Sequence, residues 1–192
     1  MARFTRLSSE DRRAQLIDVA LACLAEGGIL HFTVDRICTQ AGVSRGLVLH
    51  HFGSMADLLT AVYARIYRDT VPDLAVLAPE TRLDALIEGI FAPKAFSRET
   101  LAPWLTLWGQ IAVTPPLQAE HQRQYRAYMA DVAGAIAALA TKRGRTVDAP
   151  ALAMSLICLI DGLCLQRCMD PDTIDGDAAK AACWAFLAPH LG

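Results

Sequence analysis

The stretch that decides the fold is residues 33–52, which reads TVDRICTQAGVSRGLVLHHF. Its first half begins with a threonine that can cap a helix through its side-chain oxygen. Val34, Ile37 and Ala41 then follow at the spacing of one apolar helix face. Gly42 comes next and allows the left-handed backbone angles of a sharp turn at little cost. The stretch therefore predicts two short helices joined by a glycine turn.

The second of these helices has an apolar side and a chemically mixed side. Ser44 would cap its start, and Val48 and Phe52 point in one direction. The mixed set consists of Arg45, Gly46, Leu47, Leu49, His50 and His51. An arginine fork can bond O6 and N7 of guanine, leucine can contact thymine methyl groups, and histidine can donate to phosphate. This chemistry on a helix-turn-helix predicts a DNA-binding motif.

These features also have plainer interpretations. A structural helical hairpin without a nucleic-acid partner shows the same apolar pattern, so the pattern alone leaves both open. His50 and His51 are adjacent, and adjacent side chains on a helix diverge by roughly 100°. They therefore lack the spacing at which two histidines share one metal ion. We expect neither a metal site nor a cofactor.

The motif and the residues around it follow the order and spacing of a known family. The positions are Arg12-Arg13, Ile17-Asp18-Val19-Ala20, Glu26-Gly27-Gly28, Thr33-Val34, Ala41-Gly42-Val43-Ser44, His51-Phe52-Gly53-Ser54 and Asp57-Leu58-Leu59. In these positions the chain resembles the TetR family of bacterial transcriptional repressors. The resemblance implies that the DNA-contacting residues are Thr33, Ser44, Arg45, Gly46, Leu47, Leu49, His50 and His51.

One position departs from the pattern of that family. The family usually carries a lysine that anchors a phosphate where this chain has Met55. The resemblance thus implies weaker DNA binding, with a salt dependence flatter by about one unit of slope.

The composition predicts a folded, helical protein. Hydrophobic residues make up 54% and charged residues 20%, which excludes a disordered chain. Beyond the motif, helices are predicted from Ser8 to Gly27, from Ser54 to before Pro72, over about 80–91, from Ser97 to Pro115, and over about 116–140, 149–168 and 176–190. We predict an all-α protein with an N-terminal three-helix helix-turn-helix DNA-binding domain over 1–54. A C-terminal helical ligand-binding and dimerisation domain would occupy 55–192.

The charge is distributed unevenly along the chain. The net charge is −2, but the first 68 residues carry eight arginines against six carboxylates, whereas the remainder has ten basic and fourteen acidic residues. Arg3, Arg6, Arg12 and Arg13 cluster near the start. A basic arm there would lie along phosphates or enter a minor groove. An ordinary solvated terminus explains the same cluster.

The cysteines and the apolar runs indicate the compartment. The cysteines are Cys23, Cys38, Cys158, Cys164, Cys168 and Cys183, none in a C-x-x-C pair, so we interpret them as reduced thiols that pack as small hydrophobes. The i, i+4 spacing of Cys164 and Cys168 leaves a thiol sensor open. No secretory apolar core lies in residues 1–7, and the longest apolar run, 149–160, is shorter than the roughly 20 residues that cross a bilayer. We expect a cytoplasmic protein that does not contact a membrane.

The last two predicted helices are apolar on more sides than one subunit can cover. This predicts a homodimer with a four-helix bundle across a two-fold axis, the alternative being a monomer core. A two-fold dimer presents two recognition helices about 34–36 Å apart and so predicts a near-palindromic operator in double-stranded DNA. A small-molecule effector that prefers another spacing would release the DNA, with the fourth helix as the lever.

The second half of the chain suggests where that effector binds. The segment 159–163, LIDGL, together with Trp104, Trp108 and the opening residues 12–18, resembles the TetR branch that contains the choline-responsive repressor of the betaine operon. The candidate ligand residues are Trp104, Trp108, Tyr125, Tyr128 and Asp161. Aromatic faces with one carboxylate suit a quaternary ammonium cation. The plainer interpretation is that the tryptophans are core residues and that the carboxyl group forms hydrogen bonds at an interface.

Two other classes of protein bear on the function, enzymes and interaction adaptors. Motifs such as G-x-S-x-G, H-E-x-x-H and a phosphate-binding glycine loop do not occur, so we expect no enzyme. The alternative to the regulator is a helical protein-interaction or redox-sensing adaptor without sequence-specific DNA binding.

Overall fold

The computed structural model describes residues 8–192, and within this range the regular structure is entirely helical. The α-helices of the described chain are α1 (Ser9–Gly27), α2 (Val34–Ala41), α3 (Arg45–Phe52), α4 (Met55–Thr70), α5 (Arg82–Ile90), α6 (Arg98–Ile111), α7 (Pro115–Lys142), α8 (Ala149–Met169) and α9 (Gly176–Leu191). Short 3₁₀ segments follow α1 at Gly28–His31 and precede α5 at Leu74–Val76 and Pro79–Thr81. The predicted all-α fold class is confirmed.

Side-chain caps determine where the helices of the motif begin. Thr33, Ser44 and Ser54 each accept a hydrogen bond from the backbone amide three residues further on, at 3.4, 3.3 and 3.1 Å. The Ser54 hydroxyl also donates to the Asp57 carboxylate at 2.6 Å. Each cap satisfies an amide that would otherwise lack a partner at the helix start. The starts predicted from these residues are therefore confirmed.

One predicted helix junction is wrong in detail. The sequence reading extends the sixth helix to Pro115, but α6 ends at Ile111 and Pro115 is the first residue of α7. A proline suits the first turn of a helix because the amide that it lacks has no intrahelical partner there. The proline pair therefore begins α7, within one residue of the predicted start, and α6 ends before it reaches the pair.

The described chain forms two compact units. The first consists of the residues up to Tyr67 together with Thr106–Glu120. In it, α1 packs against α2 and α2 packs against α3. Its buried side chains include Leu16, Ala20, Leu24, Ile37, Val48, Phe52, Leu58, Val62 and Tyr63. The three-helix arrangement predicted for the motif is present in this unit.

The second unit consists of Arg68–Leu105 and His121–Gly192. Its α9 packs against α8 and α5. The core includes Leu83, Leu86, Ile87, Val132, Ile136, Leu156, Ile157, Ile160 and Leu187. The division between the units falls inside α4, α6 and α7, and the predicted domain boundary at residues 54 and 55 stays a prediction.

Three of the four cysteines of the second unit pack as apolar side chains, whereas Cys158 is exposed on α8. Cys164, Cys168 and Cys183 are buried free thiols in its core. Burial raises the pKa of Cys164 to about 12 and the pKa of Cys183 to about 11. Because the reactive form of cysteine is the thiolate, the raised pKa favours the thiol form of Cys164 and Cys183 at neutral pH. The interpretation as small hydrophobes is confirmed for these three residues.

In the described part of the chain, the segments Ser9–His31 and Ala149–Met169 have the length and composition of a membrane span. The expectation that no apolar run is long enough is therefore wrong for α8, which continues past Asp161 because a single carboxylate does not end a helix. Core helices of water-soluble proteins meet the same criterion, and α8 contributes eight buried residues. Burial in the second unit accounts for the apolar residues on one side of α8.

The turn between α2 and α3 depends on the backbone of Gly42. This residue is left-handed, at φ 65° and ψ 39°, and its amide donates to the Cys38 carbonyl. The Val43 amide donates to the same carbonyl at 3.0 Å. A Cβ at Gly42 would meet no atom within 4 Å, so a side chain there would encounter only backbone strain.

We expect Gly42→Ala to lower the free energy of unfolding by about 1–2 kcal/mol, because the Cβ of an L-residue is sterically strained in the left-handed region. The matched control is Gly109→Ala, which lies in α6 and also has open space around its Cβ. Alanine should raise the free energy of unfolding there by about 0.5–1 kcal/mol. Denaturant unfolding at fixed protein concentration, followed by far-UV circular dichroism, measures both. Equal effects of the two substitutions on the free energy of unfolding would contradict the left-handed turn at Gly42.

Candidate nucleic-acid interface and ligand site

Helix α3 presents one side to the core of the first unit and the other to solvent. Val48 is 1% exposed and Phe52 is 7% exposed, and these two side chains fix the rotation of the helix about its axis. The residues that face solvent are Ser44, Arg45, Gly46, Leu49 and His50. Leu47 and His51 are half-buried at the flank, because they lie between the two sides. Five predicted contacts of this segment thus form one exposed surface, and two border it.

A cation–π contact holds this helix against α1. The guanidinium carbon of Arg13 lies 4.5 Å from the centre of the Phe52 ring. Arg12, also in α1, donates to the Gln15 side chain at 2.6 Å. The hypothesis of a basic arm is therefore wrong for Arg12 and Arg13, because both belong to a helix and are engaged within it or beside it. Arg3 and Arg6, the other members of that arm, lie outside the described residues.

The arginines of the helix-turn-helix are paired with carboxylates. Arg45 Nη2 lies 2.5 Å from Asp35 Oδ1, and both side chains are about two-thirds exposed. Arg36 Nη2 lies 2.5 Å from Glu26 Oε2. The hydrogen bond and the charge of Arg36 lower the pKa of Glu26. The sequence predicted Arg45 as a DNA ligand but did not predict its ion-pair partner Asp35, which lies on α2, the other helix of the motif.

The absence of a side chain at Gly46 leaves the start of α3 open. A Cβ built there meets only the Ser44 hydroxyl oxygen, at 3.9 Å. Thr33, the predicted phosphate neighbour, is exposed at the start of α2. The exposed backbone around Gly46 is the part of this surface that a base pair can approach most closely.

The candidate ligand residues of the second unit include a coupled pair. Asp161 on α8 is half-buried, and burial raises its pKa to about 6. Burial, followed by the negative charges of Asp161 and Cys158, raises the pKa of Tyr125 on α7 to about 12. The predicted Tyr125 and Asp161 therefore interact electrostatically.

His121 belongs to this group and was missed by the sequence reading. Its ring centre lies 5.1 Å from that of Tyr125, with the rings inclined at 32°. Burial lowers the pKa of His121, so the imidazole is neutral at pH 7. The signal available in the sequence was its position four residues before Tyr125, on the same side of one helix.

The other three predicted ligand residues, Trp104, Trp108 and Tyr128, do not all lie in one unit. Trp104 and Trp108 are half-buried on α6, but Trp104 belongs to the second unit and Trp108 to the first. Tyr128 packs against the core of the second unit. The five predicted ligand residues are thus divided between the units, and their common role stays a prediction.

Comparison with known proteins identifies both parts of the chain. Residues 16–62 match the bacterial regulatory proteins of the tetR family, and residues 79–192 match the C-terminal part of the BetI-type transcriptional repressors. The chain belongs to the TetR family. Its C-terminal part is of the BetI type, which confirms the branch that the sequence resembled. As a TetR-family member it is a DNA-binding transcriptional regulator that acts as a dimer, and it is not an enzyme.

Relatives of this TetR-family protein align over most of its length. The HTH-type transcriptional regulator BetI of Burkholderia thailandensis is 33% identical over 177 residues, which cover 88% of each chain. BetI 2 of Chromohalobacter salexigens is 30% identical over 183 residues, covering 92% of this chain and 86% of the relative. These similarities extend through both the motif and the C-terminal part.

Solved structures agree with the TetR-family fold. A transcriptional regulator from Pseudomonas aeruginosa PAO1 has a TM-score of 0.78 and 33% identity, covering 98% of this chain and 94% of that one. A regulator from Saccharomonospora viridis, solved in complex with choline, has a TM-score of 0.77 and 23% identity. The alignment covers 93% of this chain and 96% of that regulator. At 23% identity, the similarity to the Saccharomonospora viridis regulator shows a shared fold and nothing about the ligand of this chain.

We expect Gly46→Ala to separate stability from DNA binding. Alanine in a helix with open space around its Cβ should raise the free energy of unfolding by about 0.5–1 kcal/mol. The added methyl group should weaken operator binding several-fold, because it lies between the helix backbone and the bases. Unfolding curves and fluorescence anisotropy with an operator duplex measure the two effects. Unchanged operator affinity would show that this part of the helix does not approach the DNA.

Proposed function

We propose that this protein is a repressor that a small organic cation releases from a near-palindromic operator. The observation that carries the proposal is the exposed surface of α3, where Arg45, Gly46 and His50 lie opposite a buried apolar side. Such a surface on the second helix of a helix-turn-helix suits the major groove. The proposed site of action is the cytoplasm, where operator DNA lies.

The proposed DNA contacts divide into two kinds. Arg45 and Leu49 supply contacts to base edges, since the guanidinium fork suits guanine and the apolar side chain suits a thymine methyl group. Thr33, His50 and His51 supply hydrogen bonds to phosphate oxygens, which position the helix without reading the sequence. Ser44 caps the helix, Gly46 allows its approach, and Leu47 borders the base-reading surface.

Spacing of the two recognition helices depends on the dimer, for which α8 and α9 offer apolar surface. On α8 the exposed residues include Met154, Cys158, Leu165 and Met169. On α9 the exposed residues include Ala178, Ala181, Ala185 and Ala188, whose small side chains permit close helix approach. We propose that these faces form the four-helix bundle of the dimer. A bundle of this kind would hold the two α3 helices at a fixed separation.

The proposed effector is a quaternary ammonium compound such as choline. The Asp161 carboxylate supplies the negative charge, and the rings of Tyr125 and His121 supply aromatic faces. A neutral His121 does not repel a cation. The choline complex of the Saccharomonospora viridis regulator and the BetI-type C-terminal part support this choice.

Release of DNA would follow from linkage between the effector and the operator. The first unit ends at Tyr67 and the second begins at Arg68, so both contain part of α4. An effector that binds more tightly to a dimer with the wrong separation of its α3 helices weakens DNA binding. By linkage, DNA weakens effector binding by the same factor. We propose that α4 transmits this change.

We expect Arg45→Ala to reduce operator binding by about 10- to 100-fold while the fold and the dimer persist. One bidentate contact to guanine contributes about 1–3 kcal/mol of discrimination. Operator duplexes selected from random DNA with the wild-type protein provide the ligand, and fluorescence anisotropy provides the affinity.

The control for this substitution is Arg98→Ala. Arg98 is likewise an exposed arginine at the first position of a helix, but it lies in the second unit. Its replacement should leave operator affinity within twofold. Equal losses for the two variants would contradict the assignment of α3, and a wild-type protein that prefers no duplex would support the adaptor alternative.

We expect choline affinity to fall as the pH drops below about 6, because protonation of Asp161 removes the negative charge. Asp161→Asn should abolish this pH dependence and weaken choline binding at pH 7.5. Calorimetric titration between pH 5 and pH 8 measures the affinity. The matched control is Asp131→Asn, an exposed carboxylate on α7. Absence of heat with choline for the wild-type protein would refute choline as the effector.

The same substitution should stabilise the ligand-free protein. The folded-state pKa of Asp161, about 6, lies above the ordinary value of 3.8, so folding binds protons between these pH values. The charged carboxylate therefore destabilises the fold above pH 6, and this cost disappears as the pH falls to 4. We expect Asp161→Asn to raise the free energy of unfolding by about 1–2 kcal/mol at pH 7.5 and by little at pH 4. Denaturant unfolding at both pH values checks the difference.

A further inference from the structure

The ion pair between Asp35 and Arg45 lies on the surface that would meet DNA. Asp35 is the second residue of α2 and follows the exposed Thr33 closely, while Arg45 is the first residue of α3. The atoms Oδ1 and Nη2 are 2.5 Å apart, and the two side chains are 66% and 65% exposed. A carboxylate in this place opposes binding to phosphate, because like charges repel. The paired helices therefore carry a neutral ion pair, instead of an unopposed positive charge, on a surface that is expected to bind a polyanion.

We propose that Asp35 is a specificity-determining residue that acts through Arg45. It makes the arginine favour the neutral acceptors of a guanine edge over the charged oxygens of any phosphate. The inference rests on the proposed function and adds a residue that does not itself contact the operator. It assigns Asp35 the role of positioning the guanidinium and of balancing its charge.

Hydrogen-bond chemistry allows the guanidinium to serve both partners. A guanidinium has five N–H donors in a planar fork, and the contact with Asp35 is made through Nη2. Donors on the other edge of the fork stay available to O6 and N7 of guanine. Because guanine is neutral, it can accept these hydrogen bonds while the carboxylate keeps its own. Recognition of the base thus preserves the ion pair.

Binding to a phosphate has a different electrostatic balance. If Arg45 leaves Asp35 for a backbone oxygen, the carboxylate is left facing a negatively charged strand. If the pair persists near the phosphate, its charges largely cancel and few counterions are released. Both outcomes weaken attraction to DNA of arbitrary sequence. Asp35 therefore lowers non-specific affinity more than operator affinity.

Three other arginines among the described residues of the first unit are already engaged, which makes the charge of Arg45 more important. Arg36 is paired with Glu26, Arg65 donates to Asp18, and Arg13 lies over the Phe52 ring. Arg45 stands at the start of the recognition helix, so its charge balance bears directly on attraction to phosphates there. Asp35 controls that charge balance.

The test measures discrimination between two duplexes. One is the operator selected from random DNA with the wild-type protein, and the other is a scrambled duplex of the same composition. Asp35→Asn removes the charge and preserves the size of the side chain. We expect tighter binding to the scrambled duplex, with a salt slope steeper by roughly 0.9 per subunit. Operator affinity should change less than threefold, so the ratio of the two affinities should fall about tenfold.

A double-mutant comparison shows whether Asp35 acts through Arg45. In an Arg45→Ala background, Asp35→Asn should relieve repulsion from both duplexes alike and so leave the ratio of their affinities nearly unchanged. Operators in which guanine is replaced position by position with 7-deazaguanine, which lacks N7, provide a second readout. Replacement of the guanine that Arg45 contacts should weaken binding of the wild-type protein and leave binding of the Arg45→Ala variant unaffected. The same change in affinity ratio with and without Arg45 would overturn the proposal.

Two control variants address folding and general charge. Asp18→Asn removes a carboxylate from another ion pair of the same unit, that with Arg65, and should preserve the affinity ratio. Asp35→Ser provides a second neutral residue if the asparagine variant does not give native circular dichroism. An unchanged affinity ratio in a folded, neutral Asp35 variant would refute this inference alone. A wild-type protein without any preferred duplex would refute the proposed function as well.

Discussion

The buried contact of Val48 and Phe52 with the core of the first unit is the constraint on which the rest of the recognition surface depends. Helix α3 has eight residues, too few to be stable in isolation. Packing of its apolar side, with the Arg13 guanidinium over the Phe52 ring, keeps it folded and fixes its rotation. Once this rotation is set, the exposure of Arg45 and Gly46 follows. Chemistry at the surface is thus determined by residues that never face it.

Much of the fold was predictable because its signals are local. A capping oxygen, a glycine with left-handed angles and an apolar residue every third or fourth position act within a few residues of one another. The helix starts at Thr33 and Ser44 were correct for this reason. The end of the sixth helix was misplaced at Pro115 because a proline that begins one helix does not show how far before it the previous helix stops.

The candidate sites were less predictable because they combine residues from different helices. The sequence supplied Arg45 and Asp161 from their chemistry, but neither Asp35 nor His121 could be selected without knowing which side chains lie beside them. Spacing on a helix gives the direction of a side chain and does not give its partner on another helix. For the same reason Trp104 and Trp108, four residues apart, were not separated into two units by the sequence.

Two carboxylates illustrate how charge compensation distinguishes the two candidate sites. Asp35 is exposed and paired with a guanidinium, so its charge is balanced within the protein before any ligand arrives. Asp161 is half-buried, and burial is the cause that raises its pKa to about 6. At neutral pH its charge therefore carries a desolvation cost that a bound cation can offset. The first carboxylate sets the selectivity of an exposed arginine, whereas the second makes the ligand-free state less stable than it would be with a neutral side chain. The cation proposed to bind at Asp161 would remove this cost, and it would shift the protein between two folded conformations in so far as one of them holds it more tightly.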